Sequence, residues 1–361
     1  MRVTSRHVAL RSYSRTIRRF EAASCLGIGS FEDVPPRIQD RHIKPRSHPR
    51  GSLLLLAPTR MNSHPAVVQH PAAAVSADRR ASALEDLREI VHDLRASRSL
   101  IAQLTLRDIK VRYKQAIMGF AWAILSPVLI IAAGVVVRLA ISSMSGRPLE
   151  LTELTGIVVK GVAWGFVTGA IGFATTSLTG NSQLITKVYF PRESLPLSVV
   201  LASTFDSLVG VTALSILMPI AGWRPTLAVL WVLPVALILW TLVLGTALIV
   251  SCANLFFRDV KYIVQVLITF GVFFTPVFYE PAVFGPRWVA PQMANPLAPI
   301  LEGLRLSITQ GHNLLRPLVD ANGAMTWTPL YLYWSAAVAV IILLGGALVF
   351  HRAQFRFAEY V

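Results

Sequence analysis

Charge is scarce in this sequence. Asp, Glu, Lys and Arg make up 15% of 361 residues, whereas a soluble domain carries about 25%. That is too little to coat a globular surface in water. Cysteine is scarcer still: Cys25 and Cys252 are the only two, which excludes a disulfide framework and a Cys-rich zinc site. Five of the eight histidines precede residue 71 and none forms an HxxxH or HExxH arrangement, so a helical metal site has no signature and no metal is expected. There is no phosphate loop GxxxxGK[ST] and no other nucleotide motif. Any ATP that powers this protein is therefore bound by another chain.

What the sequence has instead is apolar residues, 54% of the total. Ala116 to Val137 is free of charged side chains, and about 20 such residues cross a hydrocarbon core of ~30 Å. The fold class is an all-α polytopic membrane protein. Six spans are expected, near 116–141, 156–180, 195–221, 226–255, 262–280 and 330–350, forming a transmembrane domain over 116–350. Residues 81–115 precede it as amphipathic helices, and 351–361 follow as a tail.

The net charge of +15 invites a nucleic-acid reading, but its distribution argues otherwise. Residues 1–60 hold twelve Lys and Arg against four acids. Residues 1–80 lack sustained periodicity and read as a disordered extension. The alternative for 1–60 is sequence upstream of a true start at Met61. The rest of the excess sits beside apolar spans. Segments 107–115, 181–193, 256–261 and the tail after 350 share ten Lys and Arg; the opposite side has five, spread over more chain. By the positive-inside rule both termini are cytoplasmic. Arg107, Lys110, Arg112 and Lys114, placed directly before the first span, then act as a topological anchor.

Ser82 and Glu85 form a capping box ahead of a stripe of Leu84, Leu87, Val91 and Leu94, which predicts an amphipathic helix over 82–96 lying on the membrane surface. A second such stretch, "SLIAQLTLRDIKVRY", runs into the first span. Within the spans, Gly161, Gly165 and Gly169 repeat every four residues, as a ridge for close helix packing or a pore lining. Asp206 lies ~17 Å into the third span at 1.5 Å per residue, where an acid costs roughly 2.5–3.5 kcal/mol. It needs a partner or a wet cavity, as a structural hydrogen-bonding group or a substrate contact. Lys160 and Arg138 lie near span ends and are expected to snorkel to the interface. The fifth span ends in crowded aromatics, "LITFGVFFTPVFYEP", suited to packing or to stacking on sugar faces. In the 281–329 loop a short helix is expected after Asn295–Pro296, at or dipping into the outer leaflet, with Trp288, Trp327 and Trp334 as an aromatic belt. The link "NSQLITKVYFPRES" reads as a short helix able to dock into a cleft on a soluble partner.

Four motifs, "RDIKVRYKQAIMGFAWAILSP", "NSQLITKVYFPRESLPLSVVLAS", "NLFFRDVKYI" and "TPVFYEP…ANPLAPILEGLR", occur in this order. Over about 85–361 the chain resembles the permease subunits of ABC-2 type exporters, in the branch that exports O-antigen, capsule and teichoic-acid polysaccharides across the bacterial cytoplasmic membrane. The resemblance implies a homodimer paired with a separate ATPase, which holds ATP and Mg, and an undecaprenyl-linked glycan as cargo; the chain itself is no enzyme and needs no cofactor. It implies that Lys187, Tyr189, Pro191, Arg192 and Glu193 couple to that ATPase. By the same resemblance residues 100–115 form an interface helix whose Arg107, Lys110, Arg112 and Lys114 can attract the substrate pyrophosphate. Trp122 of the first span and Phe270, Phe274, Phe278 and Tyr279 of the fifth are channel candidates, and the 285–310 helices an outer gate. The alternatives are an ABC-2 exporter of a small hydrophobic drug or lipid, and a non-transport scaffold of glycan synthesis. A lone Asp206 offers little ion-coupling chemistry for a secondary transporter.

Overall fold

A computed structural model describes residues 82–114, 121–145, 151–220, 222–319 and 325–360. The extension 1–80 and the question of Met61 lie outside the described residues. Helix α1, Ala83–Ala96, starts at the expected capping box: Ser82 Oγ accepts from the Glu85 N–H at 3.3 Å, and Glu85 Oε2 accepts from the Ser82 N–H at 3.2 Å. Its apolar face is rotated from the expected stripe. Ile90 is buried with Leu87 and Leu94 beside it, while Leu84 and Val91 are exposed. Helix α2, Arg98–Lys114, follows at once.

The bundle comprises α3 (Ala121–Ser145), α4 (Leu151–Thr175), α6 (Ser194–Ile220), α7 (Val232–Phe256), α8 (Val260–Phe274) and α11 (Pro329–Ala353). Among the described residues, four stretches are long and apolar enough to cross a membrane: Glu153–Thr175, Ser194–Ile216, Leu227–Phe256 and Pro329–Arg356. Two shorter apolar helices, Ile131–Met144 within α3 and Val260–Phe274, stand where the first and fifth spans are expected. The 15 residues of α8 rise ~22 Å. The expected span to residue 280 stops early because Pro276 cannot continue the helix and drives Thr275 into extended geometry (φ −109°, ψ 136°).

Helix α4 is central. Within its span 61% of the residues are buried by protein, against under a third in the other three, and it packs on α3, α6, α7, α8 and α10 (Leu297–Thr309). A close backbone-to-backbone approach lies elsewhere, between α7 and α11. A Cβ on Gly245 would sit 2.6 Å from Leu343 Cα, and one on Gly346 2.6 Å from Gly245 O. The expected ridge on α4 behaves differently: Gly161 is buried, whereas a Cβ on Gly165 or Gly169 meets nothing within 4 Å among the described residues.

Between α8 and α11 come α9 (Pro286–Met293), α10 and a small antiparallel pair, β1 (Leu318–Val319) with β2 (Met325–Trp327). The helix expected after Asn295–Pro296 is α10. Every residue from Ala298 to Ser307 is buried by protein. Trp327, expected in an aromatic belt, is fully buried above α10 and donates from Nε1 to Leu314 O at 3.0 Å; Trp288 and Trp334 are exposed. A large apolar core joins α4, α7, α10 and Trp327. A second core, at the basic end, gathers Ile90, Leu104, Ile185, Phe190, Leu195, Cys252 and Phe357. It fixes α1, α2, the short helix α5 (Ser182–Lys187) and the last helix, α12 (Phe357–Tyr360), at one end of the bundle.

Candidate coupling face and charged sites

The basic cluster before the first span splits into two parts. Arg107, Lys110 and Lys114 are exposed, with Arg107 bonded to Asp108 at 2.9 Å. Arg112 turns inward. Its Nη1 lies 2.5 Å from Asp206 Oδ2, both of its terminal nitrogens reach Ser203 Oγ at 3.3 Å, and its guanidinium carbon lies 4.0 Å from the Phe173 ring centre. The Tyr113 hydroxyl donates to the other Asp206 oxygen at 2.5 Å. Burial, and then the acceptor Asp206, push the Tyr113 phenol well above its usual range. Asp206 therefore has two partners, and a guanidinium fork stacked on an aromatic face suits such a partly dry position better than a lysine does. Ser198 also donates to Asp108 at 3.1 Å. The pairs 108–198 and 112–206 advance together, so the last turns of α2 run parallel to α6 instead of lying flat across its end.

The segment after α5 also splits. Lys187, Val188 and Tyr189 are exposed, Tyr189 almost completely at 95%. Phe190 then enters the basic-end core. Pro191 O accepts from Ser194 Oγ at 2.7 Å, which starts α6. Arg192 donates to Gln354 O and stands 5.7 Å from the Phe357 ring centre. Glu193 is buried, 3.1 Å from His351 Nδ1, and Gln354 Nε2 is 2.9 Å from the same nitrogen. The residue after His351, Arg352, pairs with Asp86 of α1 at 3.1 Å. Of the five residues expected to face a partner, Lys187 and Tyr189 face outward, while Arg192 and Glu193 hold the end of α11.

At the opposite end lies a charge network that the sequence reading missed. Arg138 of α3 is paired bidentately with Glu153 of α4. Lys160, expected to snorkel, is 1% exposed; its Nζ donates to Tyr279 O at 2.6 Å and lies 3.7 Å from Glu302. Arg305 binds Glu302 at 2.5 Å and Glu280 at 3.1 Å. Arg138, Glu153, Lys160, Tyr279, Glu280 and Arg305 line a common recess. The signal for it was Glu302 with Arg305, three apart in an otherwise apolar helix.

The aromatic channel candidates do not share one face. Phe270 and Phe274 are exposed. Phe278 is buried against Gly134 of α3, where a Cβ would stand 2.7 Å from its ring. Tyr279 is half-buried and donates to Phe273 O at 3.0 Å. Trp122 falls in the first turn of α3, its side chain outside the described set. Among the described residues no three His, Cys, Asp or Glu side chains gather in a metal-ligand set.

The O-antigen export system permease protein RfbA of Klebsiella pneumoniae is 26% identical over 261 residues, spanning 72% of this chain and 94% of that protein. The protein of the same name from Myxococcus xanthus is 26% identical over 274 residues, spanning 75% of this chain and 99% of its own length. Residues 99–309, from the start of α2 to the end of α10, match the family described as ABC-2 type transporter. With the parallel α2–α6 pair, the exposed Tyr189 tip and the buried α10 all inside that match, the chain belongs to the ABC-2 type transporter family.

Proposed function

We propose that this chain is the permease subunit of an ATP-driven exporter of lipid-linked polysaccharide, with an undecaprenyl-linked glycan as cargo. The similar proteins are named for O-antigen export, which favours a glycan over a small drug or lipid. Six spans cross the bacterial cytoplasmic membrane, α3 and α8 joining the four longer ones. Both termini, α1 and α5 lie in the cytoplasm, where the short basic segments gather. A separate ATPase supplies the energy, and two copies of this chain form the path. Helix α2 delivers the substrate head group from Lys110 and Lys114 toward the bundle, and α9 with α10 closes the outer side.

The observation that carries this reading is the bipartite 182–193 segment. An exposed tip of Lys187–Tyr189 is mounted on the anchored residues Phe190–Glu193. A tyrosine 95% exposed next to a rigidly held base is placed to enter a cleft on a soluble partner. The test is a pull-down of the tagged chain in mild detergent, with mass spectrometry and an ATPase assay. A Walker-motif ATPase is expected at equal stoichiometry. Tyr189→Ala should cut its retention about tenfold, an ordinary loss for an exposed aromatic anchor, with an unchanged melting curve. A chain that purifies alone, with no ATP turnover while folded, overturns the reading. Cells lacking the chain should accumulate radiolabelled glycan inside.

A further inference from the structure

The same segment raises a second question: where does a push on its tip go? It does not end in α6. Three bonds leave residues 192–193 for the far end of the sequence. Arg192 donates to the Gln354 carbonyl, its guanidinium carbon faces the Phe357 ring, and Glu193 meets His351. Glu193 is 4% exposed and His351 8%. A buried carboxylate–imidazole pair is a poor way to gain stability, because apolar side chains of like size would serve as well or better. Its value lies in specificity of position. Arg352, the next residue, reaches back to Asp86. The end of α11 is thus tied to the partner-facing tip on one side and to α1 on the other. Helix α11 also packs extensively on α7 and meets its backbone closely at Gly245–Gly346, so a displacement of its end is not readily absorbed by slack packing.

We propose that Glu193 and His351 are positioning residues which pass the movement of the Lys187–Tyr189 tip into α11, making the last helix, and not only α6, a receiver of the ATPase stroke. The proposal rests on the export reading above. The pair is buried within the protein, and a linked pair of this kind shifts coupling without abolishing either end reaction.

The test uses the complex of this chain with its copurified ATPase, reconstituted in nanodiscs. Cys25 and Cys252 are replaced by Ala, and an environment-sensitive dye is placed on Arg356→Cys, an exposed position. Adding ATP should change the dye signal in the otherwise native chain. His351→Leu and Glu193→Gln should each keep ATP hydrolysis within about twofold and lose at least about four-fifths of the dye response, as expected for a coupling element. Exchanging the two groups, Glu193→His with His351→Glu, should restore at least about half of it, which a double-mutant cycle reads as direct interaction. A merely structural role would lower assembly, hydrolysis and dye response together, and the exchange would rescue none. A full dye response in His351→Leu overturns the proposal. If His351→Leu fails to assemble, Glu193→Gln is decisive in the same way, since it keeps the shape of the side chain. Absence of any bound ATPase in the native preparation would instead defeat the export reading, and this inference with it. Failure of glycan transport alone would leave the dye result standing.

Discussion

Arg112 Nη1 lies 2.5 Å from Asp206 Oδ2, between residues 94 positions apart in the chain. The pair answers two sequence puzzles at once. An acid deep in an apolar helix needs a cation, and a basic cluster before a span contains one more than its anchoring role requires. Helix α2 carries the cation to the acid because it follows α6 for its last turns.

Removing the acid should therefore cost more than removing an isolated surface charge. Asp206→Ala leaves Arg112, whose side chain is 14% exposed, beside Phe173 without its counter-ion. Breaking such a pair costs about 3 kcal/mol, the low end of the range for buried ion pairs, because both partners keep some solvent. Thermal unfolding in detergent should show the loss, and Arg112→Met with Asp206→Leu should recover most of it. If the double change is as unstable as the single one, the pair is not what holds α2 to α6.

Lys110 and Lys114 predict the opposite pattern. Both are exposed, so Lys110→Gln with Lys114→Gln should leave the unfolding curve within about 0.5 kcal/mol of the parent, as surface changes do. Export and binding of the detergent-solubilised protein to anionic vesicles should both fall, more at low salt than at high salt. Arg112→Gln should lower stability first. Export at the parental rate in the double lysine variant would remove these residues from substrate capture.

Much of this was legible in the chain, and the misses have causes. Apolar runs gave the helices to within a few residues at Ser194, Phe256 and Pro329, because length and hydropathy are local properties. The capping box at Ser82 was legible for the same reason. Rotation about a helix axis was not. The stripe chosen on α1 missed Ile90, and which of Lys187 to Glu193 face outward depends on Phe350, His351 and Phe357, some 160 residues away. Lys160 was read from its distance to a span end, but its surroundings come from Tyr279 and Glu302. No spacing within α4 encodes those neighbours.

Lys160 itself gives a sharp expectation. Three cations and three carboxylates meet in this network, so deleting one cation leaves a surplus acid in a dry place. Lys160→Met should destabilise by about 3–4 kcal/mol, the range for a pair broken from one side. Lys160→Met with Glu302→Gln restores the balance and should regain about half or more of that loss. Urea unfolding in mixed micelles, with intrinsic tryptophan fluorescence as the signal, measures both. Equal stability of Lys160→Met and the parent would mean that Glu302 is not held by Lys160.

Glycine provides the last contrast, because this chain has both crowded and open glycines on apolar helices. Gly245 faces backbone: a methyl there would stand 2.6 Å from Leu343 N and Cα, and backbone cannot swing aside as a side-chain tip can. Gly245→Ala should push α7 and α11 apart and cost about 1–3 kcal/mol as overpacking. Gly169→Ala adds the same methyl where nothing lies within 4 Å. It should be neutral or stabilising by up to about 1 kcal/mol, since alanine is the better helix former. Because the change is chemically identical at the two sites, the difference between the two melting curves isolates crowding from propensity. If Gly169→Ala instead destabilises the detergent-purified protein as much as Gly245→Ala does, something other than the described residues occupies the α4 face at Gly169. A second copy would then reveal itself by dissociation of the dimer in the same variant. If only Gly245→Ala is costly, the α7–α11 contact demands glycine for the packing of the bundle, and Gly169 does not.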